Sequence, residues 1–288
     1  ADDPGVSAGM AEQDSRGFAL LSDLPMLEPA TVAEAYELSA AAFEVSERAR
    51  TPVFLRLTTA VALTHATVDL SLDTPPSLAR DPVLERSIAK YTKAGAKICL
   101  DQHRGLVERL CIAGGVIRAM GLNDLALAGK PGGLGIVAVG PTYAYLAEGL
   151  AGAGLKRSQV SVLKAMTTTP FPREEAETLL RHCGTVLVLE ELEPFFEREL
   201  WIAARRIGRD VHIVGKLDGT LSRSGEYGVE EVARGLVACS SWPVEGQPVA
   251  RGTWDVGTAG KPQATSHKPQ AGAPPSPQAV SPAPRPIT

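Results

Sequence analysis

The chain has 288 residues, enough for one large or two ordinary domains, and its 44% hydrophobic and 22% charged content is ordinary for a globular protein. Its net charge of −4, with basic residues scattered and no run beyond Arg205-Arg206, gives no reason to expect nucleic acid or an anionic membrane as partner. No apolar run reaches the roughly 18–20 residues that span a bilayer, and the small, acidic amino terminus lacks the basic-then-apolar pattern of a secretory signal, so a cytoplasmic protein is expected.

The chain opens with Ala1, not Met, which fits a fragment or a processed product. The stretch before Glu28 is polar, with few apolar residues until Phe18, and reads as a long loop leaving a strand outside this sequence. Ordered structure is expected from Glu28. Thr31-x-x-Glu34 is a capping box, in which hydroxyl and carboxylate satisfy the first helical amides. Val32, Tyr36, Ala40 and Phe43 then mark an apolar face on a helix ending near Arg50. Pro52 follows, and Val53-Phe-Leu-Arg-Leu-Thr58 reads as a mostly buried strand. One strand and one long helix are too little to close a core, so this first domain is expected to be truncated. Asp81 to about Met120 reads as a helical connector in two pieces, broken near Gly95 or Gly105.

A regular rhythm follows. Strands are predicted at Gly135–Val139, Val160–Leu163, Thr185–Leu189 and Val211–Val214. Helices are predicted after Gly140-Pro141, after Pro172, after Pro194 and over Val229–Val237. The helix after Pro172 carries Glu174 and Glu175 in its first turn and Arg181 and His182 in its last, matching the helix dipole. This alternation predicts a parallel sheet with helices on both faces. From Gly246 onward the chain holds nine of its 22 prolines and almost no large apolar residues, and is expected to be a disordered tail.

The chemistry-bearing residues are sparse. Cys99, Cys111, Cys183 and Cys239 lie 12, 72 and 56 residues apart without a Cys-x-x-Cys, which excludes ferredoxin-type clusters within this sequence and predicts buried or half-buried free thiols. No two of the five histidines stand at metal-ligand spacing, so no metal site is expected, and only His65, just past Thr58-Thr59, is weighed for function. Lys130-Pro-Gly-Gly-Leu-Gly135 precedes a strand instead of following one and is read as a loop, not a dinucleotide fingerprint. Three acidic groups stand out: Asp2-Asp3 and Glu12-Gln13-Asp14 in the amino-terminal loop, and Glu190-Glu191 at a predicted strand end. Such carboxylates either orient substrate or pair with arginines, and from the residues alone structural pairing is the commoner outcome.

The wording of these blocks is more particular than their pattern. Asp2-Asp-Pro-Gly5 with Glu12-Gln-Asp-Ser-Arg16, then Glu44-Val-Ser-Glu47, Pro52-Val53, Arg56 and Thr58-Thr59, resemble the α subunit of the indolepyruvate:ferredoxin oxidoreductase family. So do Leu134-Gly-Ile-Val137, Val160-Ser-Val-Leu-Lys164, Val188-Leu-Glu-Glu-Leu-Glu-Pro-Phe195, Gly215-Lys-Leu-Asp-Gly219 and Gly225-Glu226. The resemblance runs from Ala1 to Val237. It implies an α/β chain: a truncated thiamine-diphosphate-binding domain of the pyrimidine type over 1–75, a helical connector over 76–130, a transketolase-carboxyl-terminal-like parallel domain over 131–243, and the tail over 244–288. It implies oxidative decarboxylation of aryl 2-oxoacids to acyl-coenzyme A with ferredoxin reduction, in an enzyme holding thiamine diphosphate, magnesium and iron–sulfur clusters. Those clusters are not expected here, and the diphosphate-binding signature is missing: there is no Gly-Asp-Gly, and Asn123 is the only asparagine. The chain alone is therefore expected to be inactive and to need the remaining α-subunit domains or a partner subunit. Asp3, Glu12, Asp14, Thr58, Thr59 and His65 are expected at the edge of the substrate and cofactor pocket, with Glu190 and Glu191 as interface or orienting residues and no residue placed in the chemistry itself. Where the family usually has His-Ser-Ser-Gln-Asn this chain has Ser7-Ala-Gly-Met-Ala11, and where it often has Arg after the two threonines this chain has Ala60. These departures favour a rival reading, a non-catalytic assembly module. A third reading is a split subunit of a pyruvate or 2-oxoglutarate oxidoreductase.

Overall fold

A computed structural model describes residues 1–68 and 85–240. The expected proline-rich tail, and part of the expected connector, lie outside the described residues.

The carboxyl-terminal half is built as its rhythm predicts. Strands β4 (Leu134–Val139), β5 (Ser161–Ala165), β7 (Thr185–Leu189) and β8 (His212–Val214) are parallel, and β3 (Asp124–Ala126) is added antiparallel at one edge, giving the order β3-β5-β4-β7-β8. The sequence does not predict the antiparallel edge. Three residues flanked by Asn123 are too short to show an alternation. Gly140-Pro141 first opens a 3₁₀ segment, Gly140–Tyr145, which passes into α6 (Leu146–Gly152). Helices α7 (Arg173–His182) and α8 (Phe195–Arg206) cover one face of the sheet, where Leu179, Leu180, Phe196 and Leu200 meet Val137, Leu163 and Val188. Helices α6 and α9 (Val229–Ser240) cover the other, where Leu146, Leu150, Val232 and Leu236 meet Ile136, Val162 and Leu187. Each such fully buried aliphatic side chain contributes roughly 1.5–3 kcal/mol relative to exposure.

The amino-terminal half differs more from expectation. Order begins before Glu28, with α1 (Arg16–Ser22) and β1 (Met26–Leu27). The capping box of α2 (Val32–Ala49) forms with its second bond displaced by one residue. Thr31 accepts from the Glu34 amide at 3.2 Å, while the Glu34 carboxylate reaches the amide of Ala30, at 2.8 Å. The stripe Tyr36–Phe43 does not face the core. Tyr36 and Phe43 are exposed, and Leu38, Val45 and Ala49 are buried instead, because α5 (Ala96–Ala119) packs against that second stripe through Ala113, Val116 and Ile117. The strand expected over 53–58 shrinks to β2 (Phe54–Leu55), half-buried, after which Thr58 leads into α3 (Thr59–Ala62). The connector helix runs unbroken through Gly105. Its break is at Gly95 (φ 81°), with the short α4 (Ile88–Tyr91) before it. Strand β6 (Thr167–Thr169), from the far side of the chain, completes a small sheet in the order β2-β1-β6. Segments from before and after the connector thus share one sheet. Among the described residues no helix is long and apolar enough to cross a membrane.

Candidate functional site: an acid–arginine seam at the strand ends

In the large sheet the chain passes from β4 to β5 on one side and later to β7 on the other, so β4 marks the point where strand order reverses. In open parallel sheets the crevice beyond the carboxyl ends of the strands at such a point is where ligands collect. Here the small sheet covers it. Glu28, buried just after β1, sits over the carboxyl end of β4: a Cβ on Gly140 (φ 50°) would lie 3.2 Å from the Cβ of Glu28. The amide of Glu28 donates to the carbonyl of Met166 at 2.8 Å, and Thr168 donates its hydroxyl proton to the Glu28 carboxylate. Thr142, in the segment after β4, donates to the carbonyls of Val139 and Leu189.

Two arginines fill the seam. Arg16 is 1% exposed. It pairs with Asp14 at 2.6 Å and with Glu190 at 2.8 Å, and donates to the carbonyls of Glu191 and Glu193. Arg56 pairs with Asp2 at 2.6 Å and Glu28 at 2.7 Å. Burial disfavours the Arg16 cation, but Asp14 and Glu190 more than offset this and leave it permanently charged. Asp14 is likewise desolvated, yet its bonds to Arg16 and the Arg56 charge hold its pKa below the ordinary range. Glu190 also accepts from the amides of Phe196 and Glu197, at the positive amino end of α8.

The loop between Asp2 and Arg16 is fixed from beneath. Asp2 forms a parallel bridge with Thr58 and accepts from the amide and hydroxyl of Ser15. Asp3 accepts from the amides of Ser7, Ala8 and Gly9 at 2.8, 2.6 and 2.6 Å. Desolvation pushes the Asp3 pKa up, but these amide bonds outweigh it and hold the carboxyl well below the usual range. Glu12 accepts from the amide of Gly225 at 2.5 Å, tying the loop to the large-sheet half. The loop thus presents Ser7–Ala11 to solvent on a rigid base.

Beneath the seam, Glu197 accepts from the amides of Lys216 and Leu217. Gly215 leaves it room, since a Cβ there would fall 2.5 Å from its Oε2. Lys216 donates to the carbonyl of Glu190 and lies over the Tyr227 ring at 4.8 Å. Desolvation lowers its pKa to about 8, even though Glu190 and its neighbours favour the cation. Burial raises the pKa of Glu191, which accepts from the Tyr227 amide through one oxygen only. Its other oxygen is one of four buried polar atoms without a hydrogen-bond partner among the described residues, along with Arg56 Nη2, Thr58 Oγ1 and Thr169 Oγ1.

Of the residues predicted from sequence, Asp3, Glu12, Asp14, Thr58, Thr59, Glu190 and Glu191 belong to this seam or its loop. His65 does not: it is exposed beyond α3 and makes none of the seam's hydrogen bonds. His182, at the end of α7, also has a specific partner, its Nε2 lying 2.8 Å from the carbonyl of Gly129. Cys111 is exposed, against the expectation of burial, whereas burial pushes Cys183 and Cys239 up to about 11 and about 12, as inert core thiols. Sequence reasoning misses Arg16, Arg56, Glu28, Glu197 and Lys216 as site residues. Arg56 carries a signal, as a lone charge in the apolar run Val53–Leu57.

No family model matches the chain. Among curated proteins, the indolepyruvate oxidoreductase subunit IorA of Methanothermobacter thermautotrophicus is 36% identical over 242 residues, covering 83% of this chain and 37% of the relative. The same subunit of Methanothermobacter marburgensis is 34% identical (82% and 37% covered), and that of Pyrococcus abyssi 31% (75% and 33%). The chain spans little more than a third of the length of these relatives. Among solved structures, a 2-oxoglutarate:ferredoxin oxidoreductase from Magnetococcus marinus superposes with a TM-score of 0.48 at 12% identity, over 73% of this chain and 41% of that one. A split-gene transketolase gives 0.44 at 14%, over 83% and 64%. Likenesses this distant transfer no residue roles.

Proposed function

The chain is a relative of subunit IorA of indolepyruvate oxidoreductase over four fifths of its length, and from that premise we propose that it forms one segment of such an α subunit. The complete enzyme would oxidatively decarboxylate aryl 2-oxoacids to acyl-coenzyme A and pass the electrons to ferredoxin, in the cytoplasm. The observation that carries this reading is the 36% identity over 242 residues, which covers 83% of this chain.

The residues present do not fit the magnesium–diphosphate end of thiamine diphosphate. Asp2, Asp14, Glu28 and Glu190 are committed to arginines, and Asp3 and Glu197 to backbone amides. Among the described residues no three acid, Cys or His side chains converge as metal ligands. That end of the cofactor, and the iron–sulfur clusters, would belong to other parts of the enzyme. This segment would supply a pocket edge: the loop ordered by Asp3, anchored by Glu12 and Asp14, and backed by Thr58 and Thr59. Glu190 would orient the loop through Arg16, and Glu191 would face the large-sheet half through Tyr227. The division of the chain at 75, 130 and 243 is part of the same proposal.

The internal engagement of so many carboxylates favours the second reading, an assembly module without catalysis. The discriminating experiment uses the complete protein containing this segment, with its partner subunits, coenzyme A and ferredoxin. Indolepyruvate or phenylpyruvate should reduce ferredoxin faster than pyruvate or 2-oxoglutarate, and the 288-residue chain alone should turn over none. An assembly inert to every 2-oxoacid would move the chain to the second reading. Preference for pyruvate or 2-oxoglutarate would make it part of an enzyme of that specificity instead.

A further inference from the structure

A cavity of about 720 Å³ that shares no residue with the seam opens between the carboxyl end of α2, α4 and the first half of α5. That volume is in the range of small-molecule sites. Among the described residues the charged lining is basic, Arg50, Lys90, Lys93 and Arg109, joined by the His103 ring and by no carboxylate. The remaining wall includes Tyr91 and Leu106. In a chain of net charge −4 this is a local reversal of sign. Of these cations Lys90 is paired, with Glu85. Arg50, Lys93 and Arg109 have no carboxylate partner among the described residues.

Three features show that the site is assembled from separate elements. The Gln102 side-chain amide donates to the carbonyls of Ala89, Lys90 and Thr92, which staples α4 and its following turn onto α5 and holds Lys90 and Lys93 at the rim. Gly105 makes room for Arg109: a Cβ there would lie 3.2 Å from Arg109 Nη1. Arg50 caps α2 in the left-handed region at φ 52°, a conformation that residues other than Gly and Asn seldom take. Like charges converging on a concave wall repel one another, and a bound anion removes that repulsion.

We propose that this cavity binds a small ligand bearing a diphosphate or longer phosphate chain. Guanidinium groups suit phosphate oxygens through paired N–H donors, and lysines add compact charge. A single carboxylate would leave most of the cations unanswered. An extended nucleic acid is disfavoured because the net acidity of the chain would repel it beyond the cavity. Tyr91 and Leu106 offer a surface for an apolar or aromatic group attached to the phosphates. The inference is independent of the enzymatic reading, and either can fail alone.

The test is calorimetric titration of the 288-residue chain with inorganic pyrophosphate and, separately, with ADP, at low and at physiological salt. Binding that weakens with salt is expected, as for a contact dominated by charge. The double variant Lys93→Glu/Arg109→Glu should weaken both ligands by at least about tenfold. Lys97→Glu, also on α5 but outside the lining, should change affinity less than twofold, which separates a charge reversal on the same helix from one inside the cavity. Unchanged far-ultraviolet dichroism and melting confirm that the variants fold. Tighter binding of ADP than of pyrophosphate would assign the site to a nucleotide-like ligand using the Tyr91 wall, and equal binding to the phosphate chain alone. No binding of either ligand by the wild-type chain at 1 mM, or equal binding by the double variant, would overturn the proposal.

Discussion

Two regions of this molecule are equally dry and are held together by opposite means. Leu187 and Val188, in the middle of the large sheet, are 0% and 1% exposed, and so nearly are Arg16 and Glu28, at 1% each, in the seam over the strand ends. The first region is cohesive because apolar surface leaves water, and any well-shaped apolar residue would serve. The second must repay the cost of stripping water from charges, and does so only while every partner is present. The apolar layers therefore stabilise the large-sheet half, while the seam specifies which loop rests on which strand end. A buried salt bridge is poor evidence of stability in itself, and is better understood here as a device that fixes the loop of Asp2–Asp14 over β4 and β7.

The contrast is most strongly tested by removing one partner on each side. Arg16→Met should destabilise by about 3–5 kcal/mol, because Asp14 and Glu190 keep their burial and lose their counter-charge. Leu187→Ala should cost a comparable 2–5 kcal/mol, roughly, as a cavity. Urea unfolding compares them. A loss below about 1 kcal/mol for Arg16→Met would mean that the seam is open to water. Gly215→Ala comes next. Its methyl would collide with the Glu197 carboxylate, which is fixed by two backbone amides, at an expected cost of about 1–3 kcal/mol. An unchanged urea midpoint would show that Glu197 can swing away.

A smaller effect sharpens the comparison through pH. Lys216 titrates at about 8 in the fold against 10.5 when unfolded, because burial disfavours its charge. Between those values the unfolded chain binds more protons than the native one, so this group raises stability as pH rises from 8 to 10.5, and its contribution is flat below 8. The slope is at most about 1.4 kcal/mol per pH unit. Lys216→Met should lack this rise while keeping any slope due to other groups, and parallel pH profiles for the two proteins would contradict it. The smallest effect is expected at the solvated pair of Arg48 and Glu44, 3.6 Å apart and both half in water, where Arg48→Ala should shift stability by no more than about 0.5 kcal/mol.

The large-sheet half is legible in the sequence because period and punctuation agree there. Runs such as Val186–Leu189 are bounded by Gly184 and Pro194, and the acidic and basic ends of α7 fit its dipole. The amino-terminal half is not, for reasons visible in single residues. Strands of two residues, Met26–Leu27 and Phe54–Leu55, carry no period to detect. The helix α2 has two apolar stripes, and only its partner α5 decides which is buried. The acidic clusters are visible in sequence, but their fate is not. Arg16, held by Asp14, meets Glu190 across 174 residues of sequence, and Thr167–Thr169 crosses from the large-sheet half to complete the small sheet. Pairings of that range depend on the tertiary fold and leave no local signature. His65 shows the converse: it stands close to Thr58 and Thr59 in sequence, yet it is exposed beyond α3 and makes none of the seam's hydrogen bonds.

Under the proposed function the seam holds a shaped loop at a pocket edge, and Asp3 is the residue whose loss should show this most directly. In Asp3→Asn the side chain keeps its size but loses the charge that binds the amides of Ser7, Ala8 and Gly9. The measurement is kcat/KM for indolepyruvate in the complete enzyme containing this segment, alongside its melting temperature. A fall of about tenfold or more with little change in melting is predicted, since small misplacements of positioning groups have effects of that size. An unchanged kcat/KM would contradict the account and leave the loop as an ornament of the fold.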